Sequence, residues 1–238
     1  ITGNTKGTVV GQSKTSGSRS AITINMYGGE ISGNRVNSTN DDLGFDGGGG
    51  VYVDLYATLD LSGTARISGN YACAVDYKES ATFGGGFGGG VYVAKDGEFT
   101  MTDGSIAGCT AQATSDDSGY AWGGGIRSEG TTTLSGRAEI RDCHAKGDSS
   151  RAGGGISNGN GHLTISGNVT ITGCTADGQS DAVFLFYGGS ISGGTFDGSV
   201  MNYGSISAGT FNGAVTNGDT GSITGGTFEG SVENYGKI

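Results

Sequence analysis

Gly47-Gly-Gly-Gly-Val-Tyr-Val53, followed by Ile67-Ser-Gly-Asn70, is the stretch on which the fold turns. Both halves recur. Glycine runs followed by a β-branched residue stand at Gly88–Gly90 before Val91, Gly123–Gly125 before Ile126 and Gly153–Gly155 before Ile156. The tetrapeptide recurs as Ile1-Thr-Gly-Asn4, Ile31-Ser-Gly-Asn34, Ile106-Ala-Gly-Cys109, Ile140-Arg-Asp-Cys143 and Ile171-Thr-Gly-Cys174. The step from the last glycine of a run to the next Asn or Cys barely changes: Gly50 to Asn70, Gly90 to Cys109, Gly125 to Cys143, Gly155 to Cys174. The return from that slot to the following run varies widely, from Asn70 to Gly88 in one coil and from Cys143 to Gly153 in another. A nearly constant body with a variable loop is the mark of a repeat architecture.

Within the body, apolar residues alternate with polar ones: Val51-Tyr-Val53, Leu59-Asp-Leu61 and Ala65-Arg-Ile67, then Val91-Tyr-Val93, Phe99-Thr-Met101 and Ile106. Period-two alternation in short runs is a strand signature. Three short strands cannot bury their apolar faces alone, but successive coils stacked on one another can. The expectation is therefore an all-β fold, a right-handed parallel β-helix or β-solenoid with three short strands per coil and no significant helix. Residues 1–187 would form coils of about 30–39 residues with long variable loops, within the range usual for solenoid repeats. Residues 188–238 would continue as shorter coils of about 15–17 residues stacked by the same logic. Their ladders would be Ile191/Ile206/Ile223/Ile238, Phe196/Phe211/Phe228, Val200/Val215/Val232 and Asn202/Asn217/Asn234. Both ends fall in mid-coil, which reads as one continuous solenoid covalently part of a longer chain.

Composition agrees. Of 238 residues 52 are glycine and none is proline, so helices are disfavoured and collagen is excluded. The net charge of −10 speaks against phosphate-held nucleic acid. The longest apolar stretch, Ala182–Tyr187, is too short to insert in a membrane.

The glycine–Val-Tyr-Val units, the Ile-Ser-Gly-Asn tetrapeptides and the Gly-Gly-Thr-Phe-x-Gly-x-Val-x-Asn-Tyr-Gly units together resemble the β-helix regions of large bacterial surface proteins. Adhesin-like proteins of gut Gram-positive bacteria and autotransporter passenger domains carry similar repeats. The resemblance implies a pectin-lyase-like fold, an extracellular location at the cell surface, and an adhesive or stalk-like role; with no catalytic constellation in the sequence, the chain is not expected to be an enzyme. A polysaccharide lyase or glycosidase and a purely structural spacer or filament are the competing readings.

Candidate sites follow from chemistry. Tyr52 and Tyr92 share an outward slot continued by Arg127, with Phe45, Phe87, Tyr120 and Trp122 close by, beside glycine runs expected to leave backbone uncovered. Tyr52, Tyr92, Trp122 and Arg127 are the candidate contacts for a glycan or a host surface protein, against the plainer reading in which these aromatics pack loops onto the sheet. Asp41, Asp42, Asp46, Asp116 and Asp117 lie in loops that stacking would bring to one edge; they either share a structural calcium ion or stand as solvated acids. No other cofactor is expected. Cys109, Cys143 and Cys174 fill one slot and are read as buried free thiols, because in-register strands hold β-carbons too far apart for a disulfide. Cys73 is expected at the start of a loop. The outward residues Asp60, Arg66, Arg137, Glu139 and Arg141 form no paired carboxylates of the kind glycoside hydrolysis needs. The outward file Thr23, Asp60, Thr100, Thr133, Thr164 is single and broken, a poor match to an ice-binding face.

Overall fold

The computed structural model describes residues 1–3, 8–10, 21–38, 46–75, 85–114, 120–147, 153–177 and 179–238. Among them every regular element is a strand. The strands form two fourteen-stranded sheets and a three-stranded one, and no sheet closes on itself. All pairings are parallel except one, between Thr175–Ala176 and Gln179–Leu185. Multiple parallel sheets with in-register repeats are consistent with a β-solenoid.

Five ladders, rather than three, make up the longer coils. The first contains Val51–Val53, Val91–Val93, Ile126–Ser128 and Ile156–Asn158. The second contains Ala57–Leu61, Glu98–Met101, Thr131–Leu134 and His162–Ile165. The third contains Arg66–Ser68, Ser105–Ala107, Glu139–Arg141 and Thr170–Thr172. The fourth, Arg35–Ser38, Tyr71–Val75, Thr110–Thr114 and His144–Lys146, follows the Asn/Cys slot. The fifth, Asp46–Gly47, Gly85–Phe87 and Tyr120–Trp122, precedes the glycine run. These last two occupy part of what the sequence reads as loop. Their apolar positions are mostly alanine, with Ala113, Ala121, Ala145 and Ala176 forming a small core of their own. Such short side chains add little weight to an alternation pattern.

Each glycine run serves this arrangement. The first of its last three residues turns left-handed, with φ of 75° at Gly48 and 60° at Gly88. The second lies backbone on backbone against the residue after the Asn/Cys slot: a β-carbon on Gly89 would stand 2.3 Å from the carbonyl carbon of Thr110, and one on Gly124 2.4 Å from that of His144. The third packs on the slot itself, so that a β-carbon on Gly90 would meet the Ile106 side chain at 2.8 Å and Cys109 Sγ at 3.3 Å. All three are buried in each of the four runs. The glycines therefore do not leave backbone uncovered; the fourth ladder covers it.

The core is one cluster running the length of the stack, with Ile67, Ile106, Ile140, Ile156, Ile171, Ile191 and Ile206 all fully buried. From Ser190 the second and third ladders merge into single strands, Ser190–Phe196 and Ser205–Phe211. There Ile191, Ile206 and Ile223 stand in register, as do Phe196, Phe211 and Phe228. The phenylalanine rings stack at 5.0 and 4.9 Å, within 9° of parallel. Asn202 donates to Asn217, and Asn217 to Asn234, each at 2.7 Å. Val200, Val215 and Val232 share a register position.

Two details differ from expectation. Cys73 lies inside the strand Tyr71–Val75, 2% exposed, in register with Asn37 and Gln112. Asn25, not Thr23, pairs with Asp60, because the strand Ile22–Met26 sits two residues further along; Thr23 pairs with Thr58. The remainder of that file, Asp60, Thr100, Thr133, Thr164, holds its register.

Candidate binding face

Alternation in the first ladder turns valine and isoleucine inward and leaves the middle residue of each strand on the outer face. Register places Val9, Tyr52, Tyr92, Arg127, Ser157, Phe184, Met201, Thr216 and Glu233 in one file along the stack. Phe87 and Trp122 pair in the fifth ladder, close to this file. The four residues singled out from sequence are thus brought together.

Their chemistry is closely interlocked. Tyr52 and Tyr92 stack with centroids 5.2 Å apart and planes 16° apart. A β-carbon on Gly47 would stand 2.5 Å from the Tyr92 ring, so this glycine makes room for it. The Arg127 guanidinium lies 4.4 Å from the centre of the Trp122 ring, a cation–π arrangement. Trp122 also touches Phe87 at 5.3 Å and Tyr120 at 5.2 Å, in tilted contacts. Arg127 donates from Nη1 to Ser157 Oγ at 2.7 Å and pairs through Nη2 with Glu129. Glu129 in turn accepts the Asn160 amide at 3.1 Å. Arg127 is 7% exposed, and its Nε is buried without a hydrogen-bond partner.

Electrostatics follow the burial. Desolvation pushes the Tyr92 phenol up to about 12, helped by the Glu129 charge. Tyr52 is raised for the same first reason and then by Asp54. Burial lowers the Arg127 guanidinium, and Glu129 works against that shift.

Beyond Ser157 the same face carries a second aromatic group that sequence reading passed over. Phe184 and Phe186 lie 5.8 Å apart and nearly parallel; Phe186 meets Tyr187 edge-on at 4.2 Å and Tyr203 at 5.9 Å. The run Ala182–Tyr187 carried the signal: inside a strand its alternate residues Val183 and Leu185 are fully buried, which turns Phe184 and Phe186 outward.

The proposed calcium ligands Asp41, Asp42, Asp116 and Asp117 lie outside the described residues, as does the side chain of Asp46. The ladder strands from which those segments depart, Arg35–Ser38 and Thr110–Thr114, each pair with Tyr71–Val75. Among the described residues no group of three His, Cys, Asp or Glu side chains is placed to hold a metal ion.

Cys109, Cys143 and Cys174 are buried free thiols in one slot, and Cys73 is buried in its own strand. Cys109 Sγ reaches the carbonyl of Ala107 at 3.5 Å, and Cys143 Sγ that of Arg141 at 3.3 Å. Preceding them, Asn34 donates to Asn70 at 3.0 Å, and Asn70 to the Ile31 carbonyl at 2.9 Å.

On the other large sheet and its turns two outward arginines are held in local ion pairs. Arg141 meets Glu139 at 3.4 Å and Asp142 at 3.0 Å; Arg137 meets Asp103 at 3.3 Å. Asp60 is flanked in register by Asn25 and Thr100, so neither neighbour in its file offers a second carboxylate.

No helix among the described residues is long and apolar enough to cross a membrane. No family model, no curated protein and no solved structure matches this chain.

Proposed function

We propose that this chain is a cell-surface adhesin or stalk of the extracellular space, built as a right-handed parallel β-helix of the pectin-lyase-like kind. Its mechanism is display: a rigid stack holds one lengthwise face toward glycans or host matrix proteins. The observation that carries this reading is the file Tyr52–Tyr92–Arg127, one register position in three successive coils with Trp122 against its last member. Aromatic and arginine side chains clustered on an outer face are the residue types that dominate recognition surfaces.

A second reading, a passive spacer, is favoured by the way these groups satisfy one another. Tyr52 and Tyr92 cover each other's faces, and Arg127 ties its own coil to the next through Ser157. A glycan and matrix-protein array, probed with calcium and with chelator, separates the two. An adhesin gives a reproducible hit weakened by Trp122→Ala or Tyr92→Ala. A blank in both conditions assigns the chain to the spacer class.

A further inference from the structure

The second aromatic group lies on the same face, about 14 Å further along at three strand spacings from Tyr92 to Phe184. Phe184, Phe186 and Tyr203 are half-buried, and Tyr187 is 52% exposed. Tyr203 lies over Gly218, where a β-carbon would stand 2.3 Å from its ring; the glycine lets the ring lie down on the coil. The patch spans two neighbouring outward files. One reads Ser157, Phe184, Met201, Thr216; the other reads Gly159, Phe186, Tyr203, Gly218. None of these eight positions bears a charge, on a chain whose net charge is −10.

We infer that Phe184, Phe186, Tyr187 and Tyr203 form a binding patch for a neutral linear polysaccharide. The inference shares with the proposed function the premise that this face binds ligand, and it names the ligand class and a different location. The chemistry is that of uncharged amphipathic recognition. Aromatic faces take the C–H side of a sugar ring, while the phenol hydroxyls and the threonine hydroxyl of Thr216 offer hydrogen bonds to its rim. A polyanion gains little here, because none of the eight positions is cationic, the nearest guanidinium, Arg127, is buried and paired with Glu129, and the chain as a whole repels it. A protein partner of ordinary surface composition would find no charge at these eight positions to orient it. A cluster of four large rings, one of them half exposed, is the kind of exposure that marks an interaction site.

Native gels cast with hydroxyethyl cellulose, galactomannan or polygalacturonate test this with the whole chain. The expected result is retarded migration in at least one neutral gel. Tyr187→Ala, and more so Tyr187→Ala with Phe186→Ala, should weaken the retardation tenfold or more; Tyr27→Ala, at a 72% exposed ring outside both aromatic groups, should leave it unchanged. Because Tyr187 is half exposed, its variant should melt with the wild type, which a thermal scan verifies. Retardation in neither neutral gel, or only in polygalacturonate, overturns the inference. So does retardation that survives Tyr187→Ala but disappears in Trp122→Ala, an outcome that leaves the first aromatic group as the binding site. A concentration-dependent dimer, seen by sedimentation and lost in Tyr187→Ala, would instead assign the patch to a second copy of the chain and overturn it equally.

Discussion

Gly89 and Thr110 touch through their main chains, so closely that a β-carbon on the glycine would stand 2.3 Å from the threonine carbonyl carbon. Gly49 with Tyr71, Gly124 with His144 and Gly154 with Thr175 repeat the contact in other coils. Gly89→Ala has no flexible side chain to push aside and must separate two ladders. We expect a loss of about 3 kcal/mol or more, at or beyond the upper end of ordinary overpacking. Chemical denaturation measures it. An alanine tolerated within about 0.5 kcal/mol, as at an ordinary surface position, would mean that the two ladders are not packed backbone to backbone.

Phe211 is fully buried, with Phe196 stacked on one side and Phe228 on the other. Phe211→Ala should cost roughly 3–5 kcal/mol, and Ile106→Ala in the longer coils roughly 2–5, as for other buried large-to-small changes. Parallel urea titrations of both variants give the values. Unchanged midpoints in both would break the ladder assignment.

Asp181 sits where the antiparallel pairing of Thr175–Ala176 with Gln179–Leu185 replaces the long excursion of earlier coils. Burial raises its carboxyl to about 6, and hydrogen bonds from the Gly153 amide and the Ser199 hydroxyl only partly offset this. A carboxyl raised in the folded state binds its proton more tightly there than in the unfolded chain. Its penalty is therefore absent below about pH 3.8, grows through the interval up to pH 6, and is complete above it. The size is on the order of 3 kcal/mol. Asp181→Asn should stabilise the protein at pH 7.5 and leave it nearly unchanged at pH 4, with a larger difference than Asp219→Asn, at an exposed carboxylate, gives over the same two pH values. Equal shifts at both pH values would rule out the titration.

Burial and the neighbouring thiols push Cys143 well above the usual thiol range. Since the thiolate is the reactive form, Cys143 should resist iodoacetamide at pH 8 in the native protein and react promptly in concentrated guanidinium. Mass spectrometry of the alkylated peptides reads this directly. Fast native alkylation of Cys143 would contradict a closed core at this slot.

Much of this fold was legible before any coordinate, and the reason is geometric. A parallel in-register stack places each slot above the same slot in the next coil, so a residue type that suits one coil suits its neighbours. Isoleucine at 67, 106, 140 and 171, phenylalanine at 196, 211 and 228, and asparagine at 202, 217 and 234 could therefore be aligned by counting. The same counting put Tyr52, Tyr92 and Arg127 in one file. It slipped at Thr23, where the Ile22–Met26 strand carries apolar residues at 22, 24 and 26 and allows alignments two residues apart.

By itself, then, the amino-acid sequence determined the coil, its inward ladders and the outward file that Tyr52 and Tyr92 share. Only the tertiary structure decided what lies between the Asn/Cys slot and the glycine run. The spacing there changes from coil to coil, and the apolar positions are alanines too small to stand out, so neither count nor pattern reveals two further ladders. Tertiary structure likewise decided that the glycines are buried contacts and not bare backbone. It also decided that Phe184 and Phe186 meet Tyr203, because that meeting requires one coil to lie on the next.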